Sequence, residues 1–122
     1  MEIVNRNRVQ AFVTKDASEI REILAPRNSA IQRQSLAEAT LHPGQASVEH
    51  CHPRTEEIYY ILQGTGRIKV GEEAREVLPG DGIAIPPGQR HRIRNTGKED
   101  LVFLCCCVPA YEHEDTVLTP DP

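Results

Sequence analysis

At 122 residues the chain is long enough for one folded domain with a single hydrophobic core and too short for two ordinary domains. Its formal net charge of -4 and its lack of a Lys/Arg run make nucleic acid and anionic membrane surfaces poor candidate partners. The charged N-terminal stretch MEIVNRNRVQ lacks the apolar segment of a signal peptide and no long apolar span follows, so we expect a soluble, cytoplasmic protein with no membrane segment.

The first predicted element is a short helix in the stretch DASEIREILAP. Asp16 can cap its N-terminus, Glu19 stands three residues further on as in a capping box, and Pro26 ends it. Apolar side chains then share one helical face, at Ile20, Ile23 and Leu24. We expect this helix to be the only one in the chain.

From about residue 30 onward, short strand patterns are separated by turn sequences such as PG, GTG, PGDG, PPG and NTG. Many short strands at regular spacing predict an all-β sandwich or barrel. The acidic tail YEHEDTVLTPDP is expected either to cross a surface or to be partly disordered. The predicted strands are Ile31–Leu41, Ala46–His52, Glu57–Leu62, Gly66–Val70, Ala74–Val77, Gly82–Ile85, Arg90–Arg94 and Leu101–Val108.

Two of these strands carry histidines that could bind a metal together. His50 and His52 are two residues apart, so both imidazoles lie on one strand face while the cysteine between them points to the other. A strand that starts near Glu56 or Glu57 can return beside them and add a carboxylate. In the run RHRIRN, His91 alternates with arginines, so an inward-facing His91 could complete the site.

Three neutral imidazoles and one carboxylate suit a divalent transition metal. The donor set does not distinguish Fe, Mn, Ni, Zn, Co or Cu, and on an octahedral ion it leaves two positions for water, O₂ or a chelating substrate. Histidines at this spacing also occur on protein surfaces and as hydrogen-bonded core residues, so the spacing alone leaves that alternative open. The run Cys105 to Cys107 lacks CxxC spacing and predicts reduced thiols, not a zinc knuckle or a disulfide framework.

The residues around the histidines resemble the two signature motifs of the cupin family. The stretch 44–64 fits the first motif, G(X)5HXH(X)3-4E(X)6G, and the stretch 80–95 fits the second, G(X)5PXG(X)2H(X)3N. The resemblance implies a single cupin domain over residues 1–122, folded as a double-stranded β-helix, a kind of jelly-roll barrel. It also implies a divalent metal held by four side chains, which are His50, His52, Glu57 and His91.

The first motif leaves two adjacent glutamates as alternatives for the carboxylate ligand. Its spacing after His52 tolerates either Glu56 or Glu57, but the six-residue gap to Gly64 fits only Glu57. Strand alternation then directs Glu57 and Tyr59 inward and Glu56 toward solvent. We therefore expect Glu57 to be the ligand.

Three further side chains are candidates for contact with a substrate. Tyr59 could offer its hydroxyl in the cavity or be a core tyrosine. Gln34 could orient a ligand or sit at a sheet edge. Some small metal cupins bring a cysteine of the last strand close to the metal; by that resemblance Cys105 is the best candidate here, with packing as a small apolar residue as the alternative.

The resemblance implies a small-molecule metalloenzyme of dioxygenase or isomerase type, and the sequence leaves open whether the protein is an enzyme. The alternative is a non-catalytic cupin that binds or senses a small ligand through its metal. A sugar phosphate is disfavoured because no basic cluster faces inward. Small cupins commonly dimerise, so we expect a homodimer in which the segment EIVNRNRVQAFV adds to the partner's sheet.

Overall fold

The computed structural model of the chain describes residues 1–119. Eleven strands make up most of its regular structure, and two 3-10 turns lie at Arg6–Arg8 and His113–Asp115. The strands are β1 Phe12–Val13, β2 Glu19–Leu24, β3 Ser35–Leu41, β4 His50–Cys51, β5 Glu56–Gln63, β6 Gly66–Val70, β7 Glu73–Val77, β8 Gly82–Ile85, β9 His91–Asn95, β10 Leu101–Val108 and β11 Val117–Leu118.

The strands form two antiparallel sheets, which confirms the predicted all-β jelly-roll fold. One sheet has the order β1-β2-β3-β10-β5-β8, and the other has the order β11-β4-β9-β6-β7. Side chains alternate along each strand, so that in β5 Tyr59 and Ile61 are buried while Ile58 and Tyr60 are exposed. The inward side chains of both sheets meet in one core, whose largest members include Leu41, Ile61, Ile93, Leu101 and Phe103.

The predicted strand positions agree with the structure from β5 to β10. The bounds of β6, β8 and β10 are those expected. The strand predicted over Ala46–His52 is shorter in the structure. Only His50–Cys51 is regular strand, while Ala46 forms an isolated bridge with Arg94. The amide of Val48 donates to the backbone oxygen of Asp16, outside the sheet ladder, which interrupts the strand just before His50.

The predicted N-terminal helix is wrong, because Glu19–Leu24 is strand β2. This strand pairs with β1 on one side and β3 on the other, with Ile20 opposite Ala39. Its six side chains are all half-buried, and sheet pairing therefore outweighs the local helical pattern. The carboxylate of Asp16, which could have capped a helix, instead accepts a hydrogen bond from the Ser18 amide and stabilises the turn before β2.

Both ends of the described chain contact the rest of the domain. Near the N-terminus, Arg6 Nε lies 2.7 Å from Glu38 Oε1, and strand β1 pairs with the chain's own β2. In the C-terminal tail, strand β11 pairs with β4 and so crosses the surface beside His50, while residues 120–122 lie outside the described part. Within residues 1–119, no helix has the length and apolarity that a membrane span requires.

Candidate metal centre

Three histidines meet at one end of the barrel. His50 on β4 lies directly opposite His91 on β9, and their ring centroids are 4.2 Å apart. His52 completes the group, with ring centroids 5.0 Å from His50 and 5.5 Å from His91. One ring nitrogen of each histidine lies within 4.8 Å of the others, and all three side chains are buried. This inward clustering follows from strand alternation, as the sequence predicts for each of the three.

A carboxylate reaches the histidines from the facing sheet. Glu57 lies on β5, and its Oε1 is 3.4 Å from Nε2 of His52 and 3.5 Å from Nε2 of His91. Glu56 is exposed, so Glu57 is the one of the two adjacent glutamates that faces the histidines. The two sheets therefore bring together the four side chains that the motifs single out.

Backbone carbonyls fix the orientation of two of the imidazoles. His50 Nδ1 lies 2.7 Å from the Val48 carbonyl oxygen, and His91 Nδ1 lies 3.0 Å from the Gln89 carbonyl oxygen. A carbonyl only accepts, so each Nδ1 carries the hydrogen and, in a neutral ring, leaves Nε2 as a lone pair facing the cluster. The same arrangement orients histidine ligands in known metal sites.

The buried acceptors of the cluster lack hydrogen-bond donors. Nε2 of His91 and Oε1 of Glu57 are both fully buried without a hydrogen-bond partner, although they lie 3.5 Å apart. Two acceptors that face each other in a buried site are unfavourable unless a cation lies between them. Three imidazole nitrogens and one carboxylate oxygen therefore fit a divalent transition metal.

The protonation states of Glu57 and His50 favour metal binding at neutral pH. Burial raises the pKa of Glu57, but the neighbouring His52 and His91 outweigh it and hold the pKa at about 2. Burial, together with the neighbouring His91, lowers the pKa of His50, so this ring is neutral. Burial also lowers the pKa of His52, but the adjacent Glu57 carboxylate outweighs it and leaves that pKa raised. His52 is therefore the ring at which a metal ion has to compete with a bound proton.

A cavity of about 480 Å³, counted with its open mouth, is lined by three of the four side chains, which are His50, His52 and Glu57. Tyr59, Cys105 and Cys107 line it, which places the tyrosine and two of the three consecutive cysteines beside the histidines. Burial raises the pKa of both cysteine thiols, so they carry their protons. The Sγ of Cys107 lies 3.1 Å from Oε2 of Glu57, so this thiol donates a hydrogen bond to the carboxylate.

Gln34 lies outside the cavity, contrary to its expected role as a ligand-orienting side chain. It is exposed and precedes β3, whereas Ser35, Ala37 and Ala39 of that strand line the cavity. Gln34 is therefore on the side of the chain that faces away from the cavity. Asn95, the last residue of the second motif, fixes a turn, since its side chain donates to the Leu41 and Glu99 carbonyls.

Some side chains at the cavity were not anticipated from the sequence. Asp16 is buried, and its Oδ2 lies 3.3 Å from Nε2 of His50. Tyr111 lines the cavity from the C-terminal segment, and the Thr116 hydroxyl lies 3.3 Å from His52 Nδ1. The spacing Thr-x-Asp-x-Ser over 14–18 is a turn signal that could have identified Asp16, but the same residues also fit a helix cap.

The cavity wall is acidic and apolar. Among the described residues that line it, the charged side chains are the carboxylates Asp16, Glu22 and Glu57, and neither lysine nor arginine is present. Glu22 is neutralised at the rim by Arg27, whose Nη2 lies 3.0 Å from its Oε2. The cavity therefore attracts a cation and repels an anion that is not itself bound to a metal.

Comparison with known proteins gives the family of the chain. The sequence profile described as Cupin domain matches residues 37–107. The uncharacterized protein MJ1618 of Methanocaldococcus jannaschii is 46% identical over 90% of this chain and 88% of its own length. The polyketide synthase protein CurC of Streptomyces cyaneus is 30% identical over 84% of this chain and 70% of its own. A Thermotoga maritima crystal structure, described as a predicted oxalate decarboxylase, matches with a TM-score of 0.77 and 25% identity over 88% of this chain and 99% of its own.

Proposed function

Because this chain belongs to the cupin family, we propose that it is a metalloenzyme for a small molecule, with one divalent transition metal held by Glu57 and the three buried histidines. The observation that carries the proposal is the pair of buried acceptors, His91 Nε2 and Glu57 Oε1, which face each other 3.5 Å apart without a donor. A divalent cation at this point satisfies both atoms.

The ion would supply the chemistry, and the surrounding side chains position its ligands and shape the cavity. When bound, a divalent ion supplies a Lewis acid that polarises a substrate oxygen and stabilises negative charge that develops on it. The histidine–carbonyl hydrogen bonds and the thiol of Cys107 hold the ligands in place. The aromatic rings of Tyr59 and Phe103, with centroids 4.7 Å apart, form an apolar wall beside the ligands.

The cavity lining favours an uncharged or weakly acidic substrate with oxygen donors. Recognition of a phosphate or a free dicarboxylate calls for arginine or lysine, and neither lines the described cavity. An enolisable ketone, a diketone or a phenol needs only an apolar wall and a metal to receive its oxygen. The identity of 30% with a polyketide synthase protein supports this class.

We also propose that the protein acts as a homodimer. The outward side chains of β5 and β10 form an uncovered apolar sheet face, with Ile58 53%, Tyr60 43%, Leu62 44% and Val108 47% exposed. A second copy that packs on this face would bury it. Since the N-terminal strand β1 pairs with its own chain, this face is the better-supported contact.

The cysteines support a reducing compartment such as the cytoplasm. All four are free thiols, at Cys51, Cys105, Cys106 and Cys107. Disulfides persist mainly in oxidising compartments, where four unpaired cysteines in a chain of this size are uncommon.

The function is tested by metal content followed by turnover. Protein purified without chelator is expected to hold one divalent transition metal per chain by elemental analysis, and the variant His91→Gln is expected to lose it. The metal-free protein, reloaded with the metal found, is then assayed for oxygen uptake and isomerisation with diketones, catechols, keto acids and free sugars. Metal-dependent turnover supports the enzyme. Stoichiometric binding of a panel compound without turnover favours the ligand-binding alternative, and failure to take up any metal overturns the metal site.

A further inference from the structure

Asp16 is held against the metal centre by the backbone of Val48. The Val48 amide donates to the Asp16 carbonyl oxygen over 2.7 Å, and the Val48 carbonyl accepts from His50 Nδ1 over 2.7 Å. One residue thus positions both the turn that carries Asp16 and the imidazole that faces it. The proximity of the two side chains is therefore built into the backbone and does not depend on a flexible surface contact.

The two oxygens of the Asp16 carboxylate have different environments. Oδ1 accepts three hydrogen bonds, from the Ser18 amide at 3.0 Å, the Ser18 hydroxyl at 2.7 Å and the Thr14 hydroxyl at 2.5 Å. These donors fill the accepting capacity of Oδ1 and fix the rotation of the carboxylate. The other oxygen, Oδ2, is directed at His50, with 3.3 Å between it and Nε2.

The contact between Oδ2 and His50 has the geometry of two ligands on one ion. His50 Nδ1 carries the hydrogen that it donates to the Val48 carbonyl, so in the neutral ring Nε2 and Oδ2 are two acceptors in contact. Ligand bonds of about 2.0–2.2 Å at right angles place neighbouring ligand atoms roughly 3 Å apart. The spacing of 3.3 Å is close to the 3.4 Å and 3.5 Å that separate Glu57 from its two histidines.

The charge balance of the site also favours a second carboxylate ligand. Glu57 alone leaves a divalent ion with a net charge of about +1 in a buried site, which is unfavourable without a counter-charge. Among the described carboxylates, Glu57 and Asp16 are the two within salt-bridge distance of the three histidines. Glu22, which lines the same cavity, is paired with Arg27.

We propose that Asp16 is a fifth protein ligand of the metal centre, which it reaches through Oδ2 beside His50. The proposal rests on the proposed metal site and deepens it in two ways. The ion's charge is balanced by two carboxylates, and only one octahedral position is left for exchangeable ligands. A substrate therefore binds through one oxygen atom and not as a two-oxygen chelate.

The variant Asp16→Asn tests the ligand without changing the shape of the side chain. The three donors around Oδ1 keep the amide oxygen in that place, so the amide nitrogen faces His50 and cannot bind a cation. Affinity for Co²⁺ is measured by competition with a chromophoric chelator, using metal-free protein. We expect Asp16→Asn to bind at least about tenfold more weakly than the wild type. The matched control Glu22→Gln, a carboxylate of the same cavity, is expected to stay within about twofold of the wild type.

The absorption spectrum of the Co²⁺-loaded proteins gives a second readout. Loss of the carboxylate changes the ligand field whether its position stays empty or is taken by water, so Asp16→Asn is expected to show visible d–d bands shifted from those of the wild type and Glu22→Gln. Equal affinity and an unchanged spectrum in Asp16→Asn would overturn the proposal while leaving the metal site intact. Failure of the wild type to bind Co²⁺ at all would overturn the proposed metal site and Asp16 with it.

A measurement on the wild-type protein keeps the proposal testable if Asp16→Asn does not fold. Mn²⁺ prefers six ligands, so the number of water molecules on bound Mn²⁺ counts the positions that the protein leaves open. Electron–nuclear double resonance in deuterated water is expected to find one bound water. Two bound waters would overturn the fifth ligand.

Discussion

Cys107 and Glu57 are cross-strand partners, and the thiol of Cys107 donates a hydrogen bond of 3.1 Å to Oε2 of Glu57. This bond occupies one carboxylate oxygen and leaves Oε1 to face His52 and His91. The donor is dependable, because burial and the nearby Glu57 charge raise the pKa of the thiol and keep it protonated. Strand β10 therefore orients the carboxylate of the proposed metal centre.

Variants of Cys107 should differ in metal affinity, depending on whether the new side chain can still donate a hydrogen bond to Glu57. Cys107→Val removes the hydrogen bond at similar volume, and we expect its affinity for Co²⁺ to fall about tenfold because the carboxylate loses its orientation. Cys107→Ser retains a hydroxyl donor and is expected to stay within about threefold of the wild type. Competition with a chelator measures both values. Equal affinities for the Val and Ser variants would show that the thiol is only a packing group.

Metal binding should stabilise the fold through the histidines. A ligand at 100 times its dissociation constant adds about 2.7 kcal/mol to the free energy of unfolding. For a chain of this length that corresponds to a rise in melting temperature of roughly 10 °C. We expect this rise in the wild type and not in His91→Gln. Calorimetry with and without Co²⁺ measures the melting temperature of both proteins. The exposed His113 supplies the control, and His113→Gln should respond to the metal as the wild type does.

The inward side chains of the metal centre could be predicted because strand alternation decides them locally. His50 and His52 are two residues apart and so share a strand face, and the resemblance to the first cupin motif selects Glu57 over its neighbour through the six-residue gap to Gly64. The prediction requires no knowledge of which strands pair. The same reasoning identifies Tyr59 as an inward residue, and the structure places it in the cavity wall.

Features that depend on pairing between distant segments could not be predicted in this way. The contact between Cys107 and Glu57 requires the register of β10 on β5. Asp16 was hidden because its hydrogen-bonding pattern suits both a helix cap and a turn, and only the pairing of β2 with β3 decides between them. Gln34 lies outside the cavity because strand β3 begins at Ser35, four residues after the predicted start at Ile31.

Two glycines of the first motif should differ in their tolerance of alanine. Gly44 and Gly64 have nearly the same φ, +82° and +83°, but a Cβ at Gly44 meets no atom within 4 Å, whereas at Gly64 it would lie 2.6 Å from the Asp100 carbonyl oxygen. Gly44→Ala therefore costs only the left-handed backbone, about 1–2 kcal/mol. Gly64→Ala adds a backbone clash, for about 1–3 kcal/mol more. Urea unfolding of both variants measures the difference, and equal losses would contradict the close approach.

A charge on the apolar sheet face should dissociate the proposed dimer. The side chain of Tyr60 is 43% exposed in the middle of β5, so Tyr60→Glu would place a carboxylate at the centre of that face. We expect the wild type to sediment as a dimer at micromolar concentration and Tyr60→Glu as a monomer. Leu78 is a matched control, because it is 56% exposed but follows β7 on the other sheet, and Leu78→Glu should remain dimeric. A monomeric wild type would contradict the dimer.

The exposed His42 should titrate above its usual range and stabilise the fold on the acidic side. Its Nδ1 lies 2.8 Å from Asp100 Oδ1 and its Nε2 3.3 Å from Glu19 Oε2, which links the end of β3 to the starts of β10 and β2. The hydrogen bond and the charge of Asp100 raise the pKa of His42. Because the folded pKa is raised, the stabilisation is complete below the unfolded value of about 6.5 and is lost as the pH rises through the folded value. An NMR titration should give a midpoint above about 6.5 in the wild type and a lower one in Asp100→Asn. Equal midpoints in the two proteins would show that Asp100 does not stabilise the protonated His42.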